Sequence, residues 1–215
     1  MGESIMWWIC ENILFVLTYL FSSILLATKL ENKSLYITVI TMIMTPLFGY
    51  FHHVISHNYD FQKLAYGNNE MSTLTKTVVY LLNFHSQVHH NTLVNTKSIN
   101  LIIEGFQNLL NQGFVLILIN KLLLNDYLVN NVIALYAFLY TTIHLVNYNL
   151  YKSKAHENHH KDPYTNYGPY LFDILFNTAD EEGKHEDWNI VSINVIIITT
   201  TLFVINKYSL GTNTL

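Results

Sequence analysis

Histidine is concentrated in three short clusters of this chain. The clusters cover residues 52–57, 85–90 and 156–160, and ten of the eleven histidines lie between positions 52 and 160. Each cluster contains a pair spaced four residues apart, namely His53/His57, His85/His89 and His156/His160. Side chains four residues apart lie on one face of a helix, one turn apart, so each pair can chelate one ion. The spacing therefore predicts metal binding through imidazole nitrogens.

The number of imidazoles predicts more than one ion. At 89–90 and at 159–160 two histidines are adjacent, so one of them projects from another face of the helix as a further candidate ligand. The predicted ligands are His53, His57, His85, His89, His90, His144, His156, His159 and His160. Because about four to six ligands saturate one ion, eight or nine imidazoles imply two. Neutral imidazole suits iron, zinc, copper and nickel, and ligand type alone does not choose among them.

Other polar residues near the clusters have different interpretations. We expect His52 and His185 to be ordinary polar histidines, and Glu157 to be a surface group or to support a ligand. A second set of polar residues recurs every three or four positions, on one helical face: Glu104, Gln107, Asn108, Asn111 and Gln112. Such a stripe in a membrane helix should face the bundle interior. It acts either as a contact between helices or as part of the metal site.

The composition is that of a membrane protein. The chain has 215 residues, of which 51% are hydrophobic and 12% charged, about half the charged content of soluble domains. This length predicts one domain over residues 1–215. The net charge of −4 and the lack of a basic tract exclude an electrostatic nucleic-acid surface. The single cysteine, Cys10, excludes an internal disulfide and a thiolate metal site.

The apolar runs predict an all-α integral membrane fold with four transmembrane helices. About 20 apolar residues span a bilayer, and suitable runs cover residues 5–27, 35–50, 101–124 and 127–146. The first run follows no basic n-region, so we expect a retained helix and not a cleaved signal peptide. Residues 188–206 hold a further apolar stretch, which is either a fifth span or a helix lying on the bundle.

Pairing successive spans as hairpins brings the three clusters to one side of the membrane, as a histidine-rich cap that holds two metal ions. That side carries Lys63, Lys76, Lys97, Lys152, Lys154, Lys161 and Lys184, and the opposite side carries Lys29, Lys33 and Lys121. Lysine is enriched in cytoplasmic loops of membrane proteins. The bias therefore predicts that the clusters face the cytosol.

The histidine clusters are followed by the segment Asn166-Tyr167-Gly168-Pro-Tyr-Leu171-Phe172-Asp173-Ile-Leu175-Phe176-Asn177-Thr178. The three histidine clusters, here called histidine boxes, and this segment together resemble the fatty acid hydroxylase/sterol desaturase superfamily of integral-membrane di-iron enzymes. The resemblance covers about residues 35–180. The family segment reads Asn-Tyr-Gly…Trp-Asp-x-Leu-Phe-Gly-Thr, so Phe172 replaces its tryptophan and Asn177 its glycine. The second box departs from the family in having three residues between His85 and His89 where two are commoner.

The resemblance implies an enzyme that uses two iron ions and dioxygen to hydroxylate or desaturate a C–H bond of a fatty acyl or sterol-like lipid. Zinc is an alternative metal in the isolated protein. The implied partners are a lipid from the bilayer and an external electron donor such as cytochrome b5 or a reductase, in a membrane of the endoplasmic reticulum type. Two other classes stay open, a histidine-rich metal-binding or transport protein and an inactive homologue that acts as a membrane scaffold.

Overall fold

A computed structural model describes residues 2–58, 72–73, 75–76, 90, 98–180 and 186–211, and within them every regular element is helical. The α-helices are α1 Gly2–Glu11, α2 Ile13–Leu30, α3 Leu35–Asn58, α4 Ser98–Leu109, α5 Val115–Leu123, α6 Asn130–Thr142, α7 Tyr148–Tyr151, α8 Lys154–Lys161, α9 Tyr170–Phe176 and α10 Ser192–Gly211. A π-helical segment, Leu110–Phe114, joins α4 to α5, and another, Ile143–Asn147, joins α6 to α7. The all-α prediction is confirmed.

In the described part of the chain, four helical stretches are long and apolar enough to cross a membrane: Ile13–Leu30, Leu35–His57, Asn100–Leu123 and Asn189–Tyr208. The expectation of a membrane protein is confirmed as far as helix length and composition show it. The set differs in one place from the expected one, because the stretch near the C-terminus qualifies and residues 127–146 do not. Most of those residues form α6 and the π-helical segment after it, which together contain a larger share of Tyr, Asn and Thr than the four stretches above.

The reason for this polarity is that α6 lies at the centre of the bundle. Val132, Ile133, Leu135 and Ala137 are all 0% exposed, and α6 packs against α2, α3, α4 and α10. A helix that other helices enclose presents little surface to lipid, so it tolerates polar side chains that reach protein partners. Low hydropathy in this segment therefore reflects burial in protein.

Polar contacts fix the two ends of the bundle. At the end away from the histidines, the Glu31 carboxylate accepts hydrogen bonds from the backbone N–H of Asn130 at 3.0 Å and of Asn131 at 2.6 Å, which caps α6. Asn206 on α10 donates to the Asn131 side chain at that end at 3.0 Å. At the other end of α10, Asn194 donates to Asn147 at 2.6 Å. Helix α10 therefore runs along α6 and does not lie across the bundle.

Candidate metal centre

The first histidine pair lies in the last two turns of α3. His53 and His57 are one turn apart, and their Nε2 atoms lie 3.1 Å from each other. His53 is buried, at 4% exposure, and His57 is half-buried. The last turns of a potential membrane-spanning helix thus present two imidazoles to the same point.

The third cluster lies on the short helix α8. Lys152 has a left-handed backbone conformation with φ of 50° that ends α7, and Ser153 then caps α8 by accepting a hydrogen bond from the His156 N–H at 3.2 Å. His156 and His160 share one face of α8, with their Nε2 atoms 3.1 Å apart. His159 faces away from this pair and is 1% exposed.

Four histidines from three parts of the chain converge. The candidate ligand atoms of His53, His57, His90 and His159 all lie within 4.8 Å of one another. Ligand nitrogens at about 2.0–2.1 Å from one ion are about 3–4 Å apart, so small side-chain movements would bring all four to one ion. This group could hold a metal ion, as the spacing of the clusters predicts.

The hydrogen bonds of two of these histidines fit a metal. His159 Nδ1 lies 2.6 Å from the backbone carbonyl oxygen of Thr165, and His53 Nδ1 is hydrogen-bonded to the carbonyl oxygen of Tyr167. A carbonyl oxygen only accepts, so each Nδ1 carries the proton and each Nε2 keeps its lone pair. Ligand histidines in metal sites commonly have this second hydrogen bond. The donor set is therefore suited to a cation.

A second group of histidines lies beside the first. The ring of His144 lies 4.6 Å from that of His156, which lies 4.5 Å from that of His160. The two groups are linked because the rings of His90 and His160 are 4.5 Å apart. His144 belongs to the π-helical segment after α6 and is 5% exposed. Its Nε2 lies 3.6 Å from Glu104 Oε1 on α4.

Seven of the nine predicted ligands belong to these two groups, and the other two, His85 and His89, lie outside the described residues, as does His185. His52 lies outside both groups and lines a small polar cavity with His53, Asn108 and Gln112. Glu157 is exposed on α8. The polar stripe faces the interior, as expected, with Glu104, Gln107, Asn108 and Gln112 all buried.

Sequence reasoning missed the role of the loop after α8. The carbonyl oxygens of Thr165 and Tyr167 orient two histidines, and Asp173 holds this loop. The Asp173 carboxylate accepts hydrogen bonds from Tyr167 N at 2.9 Å, Gly168 N at 2.7 Å and Thr178 Oγ1 at 2.7 Å. Burial raises the pKa of Asp173 to about 6, although these three hydrogen bonds oppose the rise. The residues Tyr167, Gly168, Asp173 and Thr178 belong to the segment that carries the family resemblance. That resemblance was a sequence signal for the role of this loop.

An apolar cavity of about 330 Å³ lies between α2, α3 and α6. Its wall includes Tyr19, Leu20, Met42, Pro46, Leu139 and Tyr140. Tyr140, Tyr170 and Trp188 also line a smaller cavity, of about 30 Å³, whose wall contains His53, His144 and His159. The apolar cavity therefore ends beside the histidines.

Comparison with known proteins finds no match to this chain among protein-family models, curated proteins or solved structures. The residues themselves define a helical protein with four potential membrane spans and a histidine group that could hold a metal ion. They also place an apolar cavity against that group.

Proposed function

We propose that the protein is a membrane-bound di-iron oxidoreductase that hydroxylates or desaturates a C–H bond of a fatty acyl or sterol-like lipid. One observation carries the proposal: the apolar cavity and the histidine centre share the wall formed by Tyr140, Tyr170 and Trp188. A cavity of this kind suits a hydrocarbon chain. The resemblance of the histidine boxes to the fatty acid hydroxylase/sterol desaturase superfamily supports the same reaction class.

In this proposal the two histidine groups hold two iron ions. His53, His57, His90 and His159 hold the first, and His144, His156 and His160 contribute to the second, together with the predicted ligands His85 and His89. When bound, the iron supplies the activation of dioxygen needed to attack an unactivated C–H bond. The protein contributes binding and orientation. The cavity between α2, α3 and α6 positions the lipid, and the Thr165 and Tyr167 carbonyl groups hold two imidazoles in the tautomer that binds metal.

Electrons must come from a separate donor, such as cytochrome b5 or a reductase, because the sequence has no haem or flavin motif. The excess of lysine on the histidine side supports a cytosolic orientation, where such donors act, in a membrane of the endoplasmic reticulum type. Metal transport is a weaker alternative. Transporters bind their substrate near the middle of the bilayer, whereas His57 lies at the end of a span and His159 lies outside the spans.

The proposal can be tested with protein purified in detergent and loaded with Fe(II) without oxygen. On addition of oxygen, a reductant and a mixture of fatty acyl lipids and sterols, the wild type should consume oxygen and give hydroxylated or unsaturated lipid by mass spectrometry. His159→Ala should abolish both without unfolding the bundle, and His52→Ala should retain both. Equal oxygen consumption by wild type and His159→Ala would contradict the proposal. Iron uptake into protein-containing vesicles, without lipid oxidation, would support transport instead.

A further inference from the structure

We infer that Glu104 is a carboxylate ligand of the second metal ion and binds it beside His144. This inference rests on the two-ion centre proposed above. It makes the two ions chemically different, since the described ligands of the first are all imidazoles and the second has an oxygen donor with a negative charge.

The distance between Glu104 and His144 fits two ligands of one ion. Glu104 Oε1 lies 3.6 Å from His144 Nε2, and the two side chains are 3% and 4% exposed. A direct N–H···O hydrogen bond is strongest at about 2.7–3.2 Å. Two donor atoms that each lie about 2.0–2.2 Å from one ion are separated by about 3–3.6 Å. The pair is thus too far apart for a good hydrogen bond and at a suitable separation for a shared cation.

Burial gives a second reason. Glu104 lies in the span Asn100–Leu123 and is 2% exposed. Ionisable side chains inside membrane spans commonly mark functional sites. Glu104 is the only charged member of the polar stripe, whose other members are amides. The one carboxyl group of the stripe therefore lies beside His144, where its oxygen can bind a divalent cation.

The approach of α4 to the π-helical segment explains how Glu104 reaches the site. At Gly105, a Cβ atom would lie 3.0 Å from Leu145 Cδ1. Glycine at this position leaves room for the Leu145 side chain against α4. The preceding residue, Glu104, then lies against His144. π-Helical segments within α-helices are frequent at functional sites, and this one carries the histidine that Glu104 meets.

The first test is a titration of purified, metal-free protein with Co²⁺, whose visible absorption reports its ligands. We expect two ions per chain in the wild type. Glu104→Gln should retain one site and weaken the other by more than the about 10–100-fold that loss of an orienting contact costs. The matched control is Glu31→Gln, which alters a carboxylate at the opposite end of the bundle and should retain both sites. If Glu104 only oriented His144, the glutamine amide oxygen could still accept a hydrogen bond, and both sites would remain.

The second test is read first in the wild type, where no substitution can disturb folding. Infrared difference spectra of the wild type, recorded before and after Co²⁺, should show a shift of carboxylate stretching bands that is missing in Glu104→Gln. Unchanged carboxylate bands in the wild type, or a Glu104→Gln titration equal to that of the wild type, would overturn the inference and leave the two-ion centre intact. A wild type that binds one ion or none would overturn both.

Discussion

His159 Nδ1 lies 2.6 Å from the carbonyl oxygen of Thr165, six residues further along the chain. His53, on a different helix, has the same kind of hydrogen bond to the carbonyl oxygen of Tyr167. One short loop therefore sets the tautomer of two imidazoles that converge from α3 and α8. Hydrogen bonds of this kind raise the basicity of a ligand and fix its ring, so metal binding should depend on the loop as well as on the histidines.

Adjacent histidines on α3 allow a controlled test of the ligand group. His53→Ala should lower affinity for Co²⁺ by more than the about 10–100-fold that loss of an orienting contact costs, because it removes a nitrogen donor. His52→Ala should bind Co²⁺ as the wild type does, since the converging ligand group contains His53 and not His52. Circular dichroism should show unchanged helix content in both variants. Equal losses of affinity in the two variants would argue against the four-histidine group as the metal site.

Asp173 should support the site through the loop. Asp173→Asn replaces one acceptor oxygen with an NH₂ group that faces a hydrogen-bond donor, which leaves a buried donor unsatisfied. We expect a loss of about 1–3 kcal/mol in the free energy of unfolding and a fall of about 10–100-fold in Co²⁺ affinity. Titration with SDS and with Co²⁺ measures the two effects. Glu157→Gln, at an exposed position on α8, is the control and should change neither. A Co²⁺ affinity of Asp173→Asn equal to that of the wild type would show that metal binding does not need the contacts of Asp173 with this loop.

The same carboxyl group predicts a pH dependence. The pKa of Asp173 in the folded protein is raised from 3.8 to about 6 because the group is buried. Between these values the unfolded chain ionises while the folded protein retains its proton, so the contribution of Asp173 to stability falls as the pH rises towards 6 and is constant above it. The difference in unfolding free energy between wild type and Asp173→Asn should therefore decline from about pH 4 to 6, measured without metal. A difference that grows over this range would contradict the raised pKa.

Much of the centre follows from sequence spacing. Pairs such as His53/His57 require only helical geometry to share a face, and the polar stripe at 104–112 requires only that membrane helices bury polar groups. The π-helical segment that carries His144 has no such signal, because one inserted residue leaves composition and periodicity almost unchanged. The apolar cavity depends on how α2, α3 and α6 pack. The enclosure of α6 by other helices also depends on this packing and has no signal in its hydropathy.

Close helix packing gives a prediction about stability. At Gly113 a Cβ atom would lie 2.6 Å from Ala137 Cβ and 3.1 Å from the Ile133 carbonyl oxygen. Neither atom can move without shifting α6, so Gly113→Ala should lower the free energy of unfolding by about 1–3 kcal/mol, measured by SDS titration. Gly105→Ala should cost less, because the tip of the Leu145 side chain is flexible. A larger loss of unfolding free energy in Gly105→Ala than in Gly113→Ala would show that α6 adjusts more readily than its burial indicates.

The apolar cavity should limit lipid turnover independently of metal binding. Met42 is a half-buried residue of α3 that lines this cavity, and Met42→Trp would fill part of the space with a larger side chain. We expect lipid oxidation to fall by roughly tenfold, which corresponds to about 1.4 kcal/mol of lost substrate or transition-state binding, while the Co²⁺ titration stays as in the wild type. Leu118→Trp is the matched control, because Leu118 lies on the exposed face of its helix at 56% exposure and should leave turnover unchanged. Full activity in Met42→Trp would place the lipid elsewhere, and loss of metal would mean that the tryptophan distorts the centre itself.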